Sequence, residues 1–170
     1  MLKIGLIREG KVPQDNRVAL TPAHCKWLHL HFDDVKVVAQ HSDSRCYTDK
    51  EYERAGVEVT EDLGDCNLLL GIKEVPVDML LEGKRYMFFS HTKKLQPANQ
   101  KLFKALLGKK NSLIDYECLE HEDGTRIIGF GFFAGIVGAH NGMMAYGNRT
   151  GAFKLQRVGS VNSFQNLIHT

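Results

Sequence analysis

Short apolar runs that do not alternate cleanly with polar residues recur along this 170-residue chain, and they constrain its fold more than any other feature. Leu2–Ile7, Val35–Ala39, Asn67–Ile72, Tyr86–Phe89 and Ser112–Tyr116 each have the length and composition of a strand. Side chains of a strand point alternately to the two faces of a sheet, so a strand apolar at successive positions is buried on both faces. Helical patterns separate the runs. Thr21-Pro22 supplies an N-cap threonine and a proline at the first helical position. Thr48 to Ala55 has Thr48 as its cap and Gly56 as its stop. Pro97 to Leu107 carries Leu102, Phe103, Leu106 and Leu107 at helical spacing before Gly108. Val57–Val59 is short enough to be an edge strand. Doubly buried strands joined by helices predict an α/β domain with a mostly parallel, Rossmann-like sheet flanked by helices.

Composition narrows the function classes. A hydrophobic share of 43% and a charged share of 25% are globular values. A formal charge of +2, with no dense basic stripe, argues against a nucleic-acid partner. No apolar run approaches the roughly 20 residues that a membrane helix needs. The N-terminus MLKIGLIREG turns charged at Arg8, the pattern of neither a signal peptide nor a transit peptide. Cys25, Cys46, Cys66 and Cys118 form no C-x-x-C pair, so no metal site is expected and reduced cytoplasmic thiols are the reading.

In a sheet of this kind ligands bind beyond the carboxyl ends of the strands. Four runs exit into ionisable residues there: Arg8 and Glu9, then Lys73 and Glu74, then His91 with Lys93 and Lys94, then Asp115 and Glu117. A lysine that is partly desolvated beside other cations loses basicity, and histidine titrates near neutrality already. Lys73 and His91 therefore suit proton transfers at an amine or imine carbon. Arg17 in DNRVALTP and Arg126 in DGTRIIGF are candidate forks for a substrate carboxylate, a role for which arginine is preferred. His24, His29, His31, His121 and His140 show no metal or triad spacing.

Ile127 to Gly138 reads IIGFGFFAGIVG, and Gly129 to Ala134 fits the G-x-G-x-x-A pattern of a dinucleotide loop. Such a loop joins a strand to a helix and needs an acidic residue about 20 residues on. Arg126–Phe130 could serve as the strand and Ala134–Tyr146 as the helix, but residues 127–170 contain neither Asp nor Glu. The better reading is packing. Gly131, Gly135, Gly138 and Gly142 line one face of a helix at an intrinsic cost of about 1 kcal/mol each. The expected organisation is a substrate-side α/β domain over 1–131. A glycine-rich connecting helix and tail over 132–170 then lead toward an absent cofactor domain.

Taken in order, IGLIREGKVPQDNRVALTPAH, LLLGIKEVP, FFSHTKKLQPANQKLFKALL, SLIDYECLEHEDGTRIIGFG and FFAGIVGAHNG resemble the N-terminal domain of the alanine dehydrogenase and transhydrogenase family. The nearest branch is the lysine-forming saccharopine dehydrogenases and lysine–ketoglutarate reductases. The resemblance implies acid–base roles for Lys73 and His91. It implies that Arg17 and Arg126 hold substrate carboxylates, and that Lys94 and Glu117 tune charge or bind substrate. The implied reaction is reversible oxidation of a secondary amine to an imine, which hydrolyses to an amino acid and a 2-oxo acid. NAD or NADP is expected to bind mainly to a second domain absent from this chain. The implied partner is a small amino acid or 2-oxo acid, with oligomeric state open, a homo-oligomer included. The expectation is the substrate-side part of a dehydrogenase with little turnover by itself. The alternative is a stand-alone module that binds such a ligand without chemistry.

Overall fold

Six strands lie side by side and all run the same way. The computed structural model describes residues 1–160 and places β1 at Leu2–Leu6, β2 at Val35–Gln40, β3 at Glu58–Thr60, β4 at Leu68–Leu70, β5 at Arg85–Phe88 and β6 at Ser112–Asp115. Their order in the sheet is β3-β2-β1-β4-β5-β6, with every neighbouring pair parallel. This is a doubly wound order, in which the chain moves outward to one side of β1 and then returns to its other side at β4. The expected edge strand at 57–59 is the edge strand β3.

Helices connect the strands: α1 (Pro22–His31), α2 (Asp49–Arg54) and α3 (Gln100–Gly108). Local chemistry explains their starts. Thr21 Oγ1 accepts from the N–H of His24 at 3.2 Å while His24 Nδ1 accepts from the N–H of Thr21 at 3.4 Å, so a histidine closes the capping box. At α2 the Glu51 carboxylate accepts from the Thr48 N–H at 2.7 Å and from its hydroxyl at 2.8 Å. Gly56 follows in the left-handed region at φ 80°, where a side chain would be strained.

The non-alternating strands are buried on both faces, as their composition requires. Val37, Ala39, Ile4, Leu6 and Leu70 pack on one side with Cys25 of α1 and Tyr52 of α2. Val38, Leu69, Tyr86 and Phe88 pack on the other with Leu102 and Leu106 of α3. Gly5 in central β1 leaves room for this second layer, since a Cβ there would sit 2.8 Å from Leu69 Cδ2. All four cysteines are free thiols. Fully buried Tyr52 donates its hydroxyl to the Leu20 carbonyl at 2.7 Å and lies under the Arg45 guanidinium, 4.3 Å from the ring centre. Tyr52→Phe removes that bond and leaves the carbonyl unpaired. The expected loss is about 1 kcal/mol of stability, read by urea denaturation.

The chain divides into two compact units, Met1–Ile127 and a second that begins at Ile128. In the second, α4 spans Gly131–Thr150, longer at both ends than the expected 134–146, and ends at left-handed Gly151. A Cβ at Gly131, Gly135, Gly138 or Gly142 would meet nothing within 4 Å. The α4 glycine with a close neighbour is instead Gly147, where a Cβ would lie 2.5 Å from the Phe153 carbonyl oxygen. The stretch before α4 is not the strand weighed for a dinucleotide loop: Arg126 makes an isolated antiparallel bridge with Glu120, and bends follow. Lacking both the preceding parallel strand and a following acid, residues 129–134 do not fit a pyrophosphate cradle. The part of the expected tail beyond residue 160 lies outside the described residues. No helix among the described residues is long and apolar enough to cross a membrane.

Candidate functional site

Strand register brings the ionisable exits to one level. Leu6 lies beside Leu70, Leu70 beside Met87, and Met87 beside Ile114. The loops that follow β1, β4, β5 and β6 therefore open along one rim, with the reversal of strand order between β1 and β4 toward one end of it. Parallel sheets of this order bind ligands at such a point.

Charge alternates along the rim. Lys11 Nζ is 2.6 Å from Glu74 Oε2, and Glu74 Oε1 is 3.8 Å from His91 Nε2. His91 Nδ1 is 3.5 Å from Glu117 Oε2, and Glu117 Oε1 is 3.5 Å from Arg126 Nη2. His91 thus stands between two carboxylates, each on a neighbouring strand exit. Glu117 leaves only 7% of its side-chain surface exposed, and its Oε2 makes no hydrogen bond although it is sealed from solvent. Beside this series, Asp15 accepts from Arg17 Nε at 2.8 Å and from Arg17 Nη2. Glu9 accepts from the backbone N–H groups of Ile72 and Lys73 at 2.6 and 2.9 Å.

His91 carries a backbone strain as well. Its φ is 52°, a conformation that costs a non-glycine residue about 1–3 kcal/mol and that concentrates at functional sites. Two anchors hold it. Asn99 Nδ2 donates to the His91 carbonyl at 3.0 Å. Ser90, fully buried, donates its hydroxyl to the Asp115 carboxylate and its N–H to Asp115 Oδ1 at 3.4 Å. The same Oδ1 accepts the Glu117 N–H at 2.9 Å, so one buried carboxylate ties the His91 loop to the Glu117 loop.

The hydrogen bond from Arg17 holds the Asp15 carboxyl below its ordinary value of 3.8, helped by the charge of Lys73. Burial raises the Glu74 carboxyl, but the Lys11 ion pair with the charge of His91 outweighs it and leaves the group below 4.5. Both folded values lie under the unfolded ones. Their stabilisation is complete above about pH 4.5 and is lost as the pH falls through the folded values. Melting temperature measured from pH 6 down to pH 2 is expected to fall less steeply in Glu74→Gln than in the unaltered chain.

The expected residues are distributed as follows. Lys73, His91, Glu117 and Arg126 lie on the rim, the last three in one charge series. Lys73 lies near enough to Asp15 to lower that carboxyl, and Arg17 pairs with Asp15 itself. Lys94 is exposed on the turn after His91. Sequence reasoning passed over Lys11 and Asp15, which stand in a loop without periodicity, and gave no role to Glu9, Glu74 or Asp115. The position of Glu74 beside Lys73 was the available signal for it. Several other histidines are engaged locally: His29 Nε2 accepts from the Val37 N–H at 2.8 Å, His31 stacks on Trp27, and His140 Nε2 bonds to the Gln156 carbonyl at 2.7 Å. Two hollows of about 590 and 540 Å³ flank α3, are lined by Phe103 and Leu107, and meet the His91 loop at Thr92.

A doubly wound parallel sheet flanked by helices, with acids, bases and an imidazole gathered along the carboxyl-end rim, defines a Rossmann-like domain. Within that class the chain belongs to the family described as alanine dehydrogenase/PNT, N-terminal domain, whose model matches residues 5–137. Among curated relatives, the alpha-aminoadipic semialdehyde synthase of Arabidopsis thaliana is 37% identical over 150 residues, covering 86% of this chain and 14% of the relative. The mitochondrial enzyme of that name from Rattus norvegicus is 40% identical over 147 residues, covering 86% and 16%. A saccharopine dehydrogenase [NAD(+), L-lysine-forming] from Emericella nidulans is 33% identical over 144 residues, covering 81% and 37%. The chain thus spans about a sixth of the length of the first two relatives. Among solved structures, an L-alanine dehydrogenase superposes with a TM-score of 0.61 at 20% identity, over 73% of this chain and 35% of that one. The transhydrogenase from Sinorhizobium meliloti gives 0.58 at 18%, over 71% and 36%. These two likenesses concern the fold.

Proposed function

We propose that this chain is the substrate-side part of an NAD(P)-dependent amino-acid dehydrogenase of the saccharopine or alanine dehydrogenase type. The observation that carries the reading is the series Lys11–Glu74–His91–Glu117–Arg126, set on the same rim as Lys73 and the Arg17–Asp15 pair. A ligand with one or two carboxylates finds guanidinium forks in Arg17 and Arg126, with Lys94 at the margin. Lys73 and His91 then stand beside its amine or carbonyl carbon and exchange protons with the nitrogen or oxygen there. Glu117 and Glu74 orient the imidazole from its two sides. Lysine is the ligand that the L-lysine-forming saccharopine dehydrogenase relatives point to, and 2-oxoglutarate is the 2-oxo acid proposed beside it. NAD or NADP supplies the redox chemistry from a second domain, in keeping with the misfit of residues 129–134 to a dinucleotide loop.

Calorimetric titration of the chain with 2-oxoglutarate, lysine and NADH tests this. The dicarboxylate is expected to bind, and Arg17→Ala or Arg126→Ala to weaken it about 10-fold or more, the scale of one charge-assisted hydrogen bond. Strong NADH binding would overturn the placement of the cofactor. Failure of both 2-oxoglutarate and lysine to bind would overturn the ligand class. Binding without turnover in any longer form of the protein would favour a module that recognises the ligand and does no chemistry.

A further inference from the structure

We propose that Glu9 is a positioning residue for Lys73, its carboxylate gripping the backbone of the lysine across the switch point of the sheet. The inference rests on the acid–base reading of Lys73 for its functional meaning and on geometry for its substance. The ladder between β1 and β4 continues as far as the Ile7 N–H donating to the Leu70 carbonyl at 2.9 Å. On the other side of β4, the Gly71 N–H still donates to the Met87 carbonyl at 3.0 Å. The β5 side reaches one bond further, with the Phe89 N–H donating to the Ile72 carbonyl at 3.0 Å, but the N–H groups of Ile72 and Lys73 take their acceptors from outside the ladder. Both find the same carboxylate: Glu9 Oε1 takes the Ile72 N–H at 2.6 Å and Oε2 takes the Lys73 N–H at 2.9 Å. The carboxylate lies over Gly71, where a Cβ would come within 3.5 Å of Oε1.

With both oxygens engaged on consecutive amides, the peptide planes leading into Lys73 are set, and with them the direction in which its side chain leaves the backbone. The grip depends on charge. A protonated carboxyl loses its charge and carries a hydroxyl on one oxygen, which accepts far more weakly, so the double grip loosens. The titratable groups acting on Glu9 are Asp15 and Arg17 from the β1–α1 loop and Tyr116 from the β6 loop, while Lys73 meets it through its backbone N–H. Burial pushes the Glu9 carboxyl above its ordinary value of 4.5, against the two amide bonds that lower it. Release of Lys73 on acidification therefore begins at a higher pH than an exposed glutamate would dictate.

Amide nuclear magnetic resonance on the 170-residue chain reads this directly. In the unaltered protein the Ile72 and Lys73 amide protons are expected to shift together through one titration above the usual glutamate midpoint. Thr48 is the internal control, because its N–H is held by Glu51, whose carboxyl is held below that midpoint by the same kind of bond. Glu9→Gln is expected to abolish the shared titration at Ile72 and Lys73 and to leave Thr48 unaltered. It is also expected to weaken 2-oxoglutarate on the order of 10-fold, the scale typical of a supporting shell. Glu9→Asp keeps the charge and is expected to keep a titrating amide pair. An Ile72 and Lys73 titration that survives Glu9→Gln, or undiminished 2-oxoglutarate affinity in that variant, would overturn the proposal. If Glu9→Gln does not fold, the unaltered chain and Glu9→Asp decide by the presence or absence of the shared titration. If the unaltered chain does not bind 2-oxoglutarate, the ligand reading falls, and the amides alone decide whether Glu9 holds Lys73.

Discussion

In a dehydrogenase that carries this domain, Lys73→Met and His91→Gln are each expected to lower kcat by about 10²–10⁴-fold, the contribution of a positioned proton donor or acceptor. The substitutions are chosen to keep shape. Methionine retains most of the lysine stem without the ammonium. Glutamine retains a hydrogen-bonding head between Glu74 and Glu117 but cannot take up or release a proton near neutrality. A group that only bound substrate would raise KM and leave kcat nearly alone. The pair should instead depress kcat and each remove one limb of its pH profile. The geometry places their backbones on neighbouring parallel strand exits, with Glu74, next to Lys73 in sequence, reaching within 3.8 Å of His91 Nε2. Rates and profiles unchanged in both variants would remove the two residues from the chemistry.

Asp115→Ala is expected to cost about 3 kcal/mol of stability, the sum of several bonds to a buried charged acceptor. Asp115 is 8% exposed and accepts from the Ser90 hydroxyl, the Ser90 N–H and the Glu117 N–H. Truncation strands those donors in a place water does not reach. On a chain of this size the loss corresponds to a melting point about 6–12 °C lower, readable by circular dichroism. The damage should also be local and directional. Ser90 precedes His91, whose φ of 52° needs outside support, and Glu117 is the second carboxylate beside the imidazole. Amide shifts in the 89–92 and 115–118 loops should move most. Asp115→Asn keeps the shape and one accepting oxygen, and should recover part of the stability. A melting point for Asp115→Ala within a degree or two of the unaltered chain would show that the loops are tied by something else.

Most of the fold was legible because its signals are local. Non-alternating runs announced strands buried on both faces, and Val37 with Val38, or Leu69 with Leu70, do fill opposite cores. Thr21-Pro22 and Thr48 announced helix starts because a cap acts within one turn. Strand exits likewise announced the rim, since the sheet order carries chain neighbours to it. Less legible was what holds the rim together. Glu9 meets residues 63 and 64 positions away, and Asp115 reaches Ser90 across 25. Pairings of that separation leave no periodic trace.

The α4 glycines show the limit from the other side. Their spacing marks a bare helix face, yet Gly147, outside that spacing, is the one pressed against its neighbour, because the chain doubles back at Gly151 to bring Phe153 over it.

By itself the sequence determined the α/β class, the strands and helices, the residues at the strand ends and, through its motifs, the family. Hydrophobic period, caps and glycines act over a few residues and can be read along a line. Only the tertiary structure decided that every strand is parallel in the order β3-β2-β1-β4-β5-β6, that His91 stands between Glu74 and Glu117, and that Glu9 and Asp115 bind neighbouring strand ends together. Those facts depend on which distant segments share a rim, and buried polar groups find their partners only once packing has put them there.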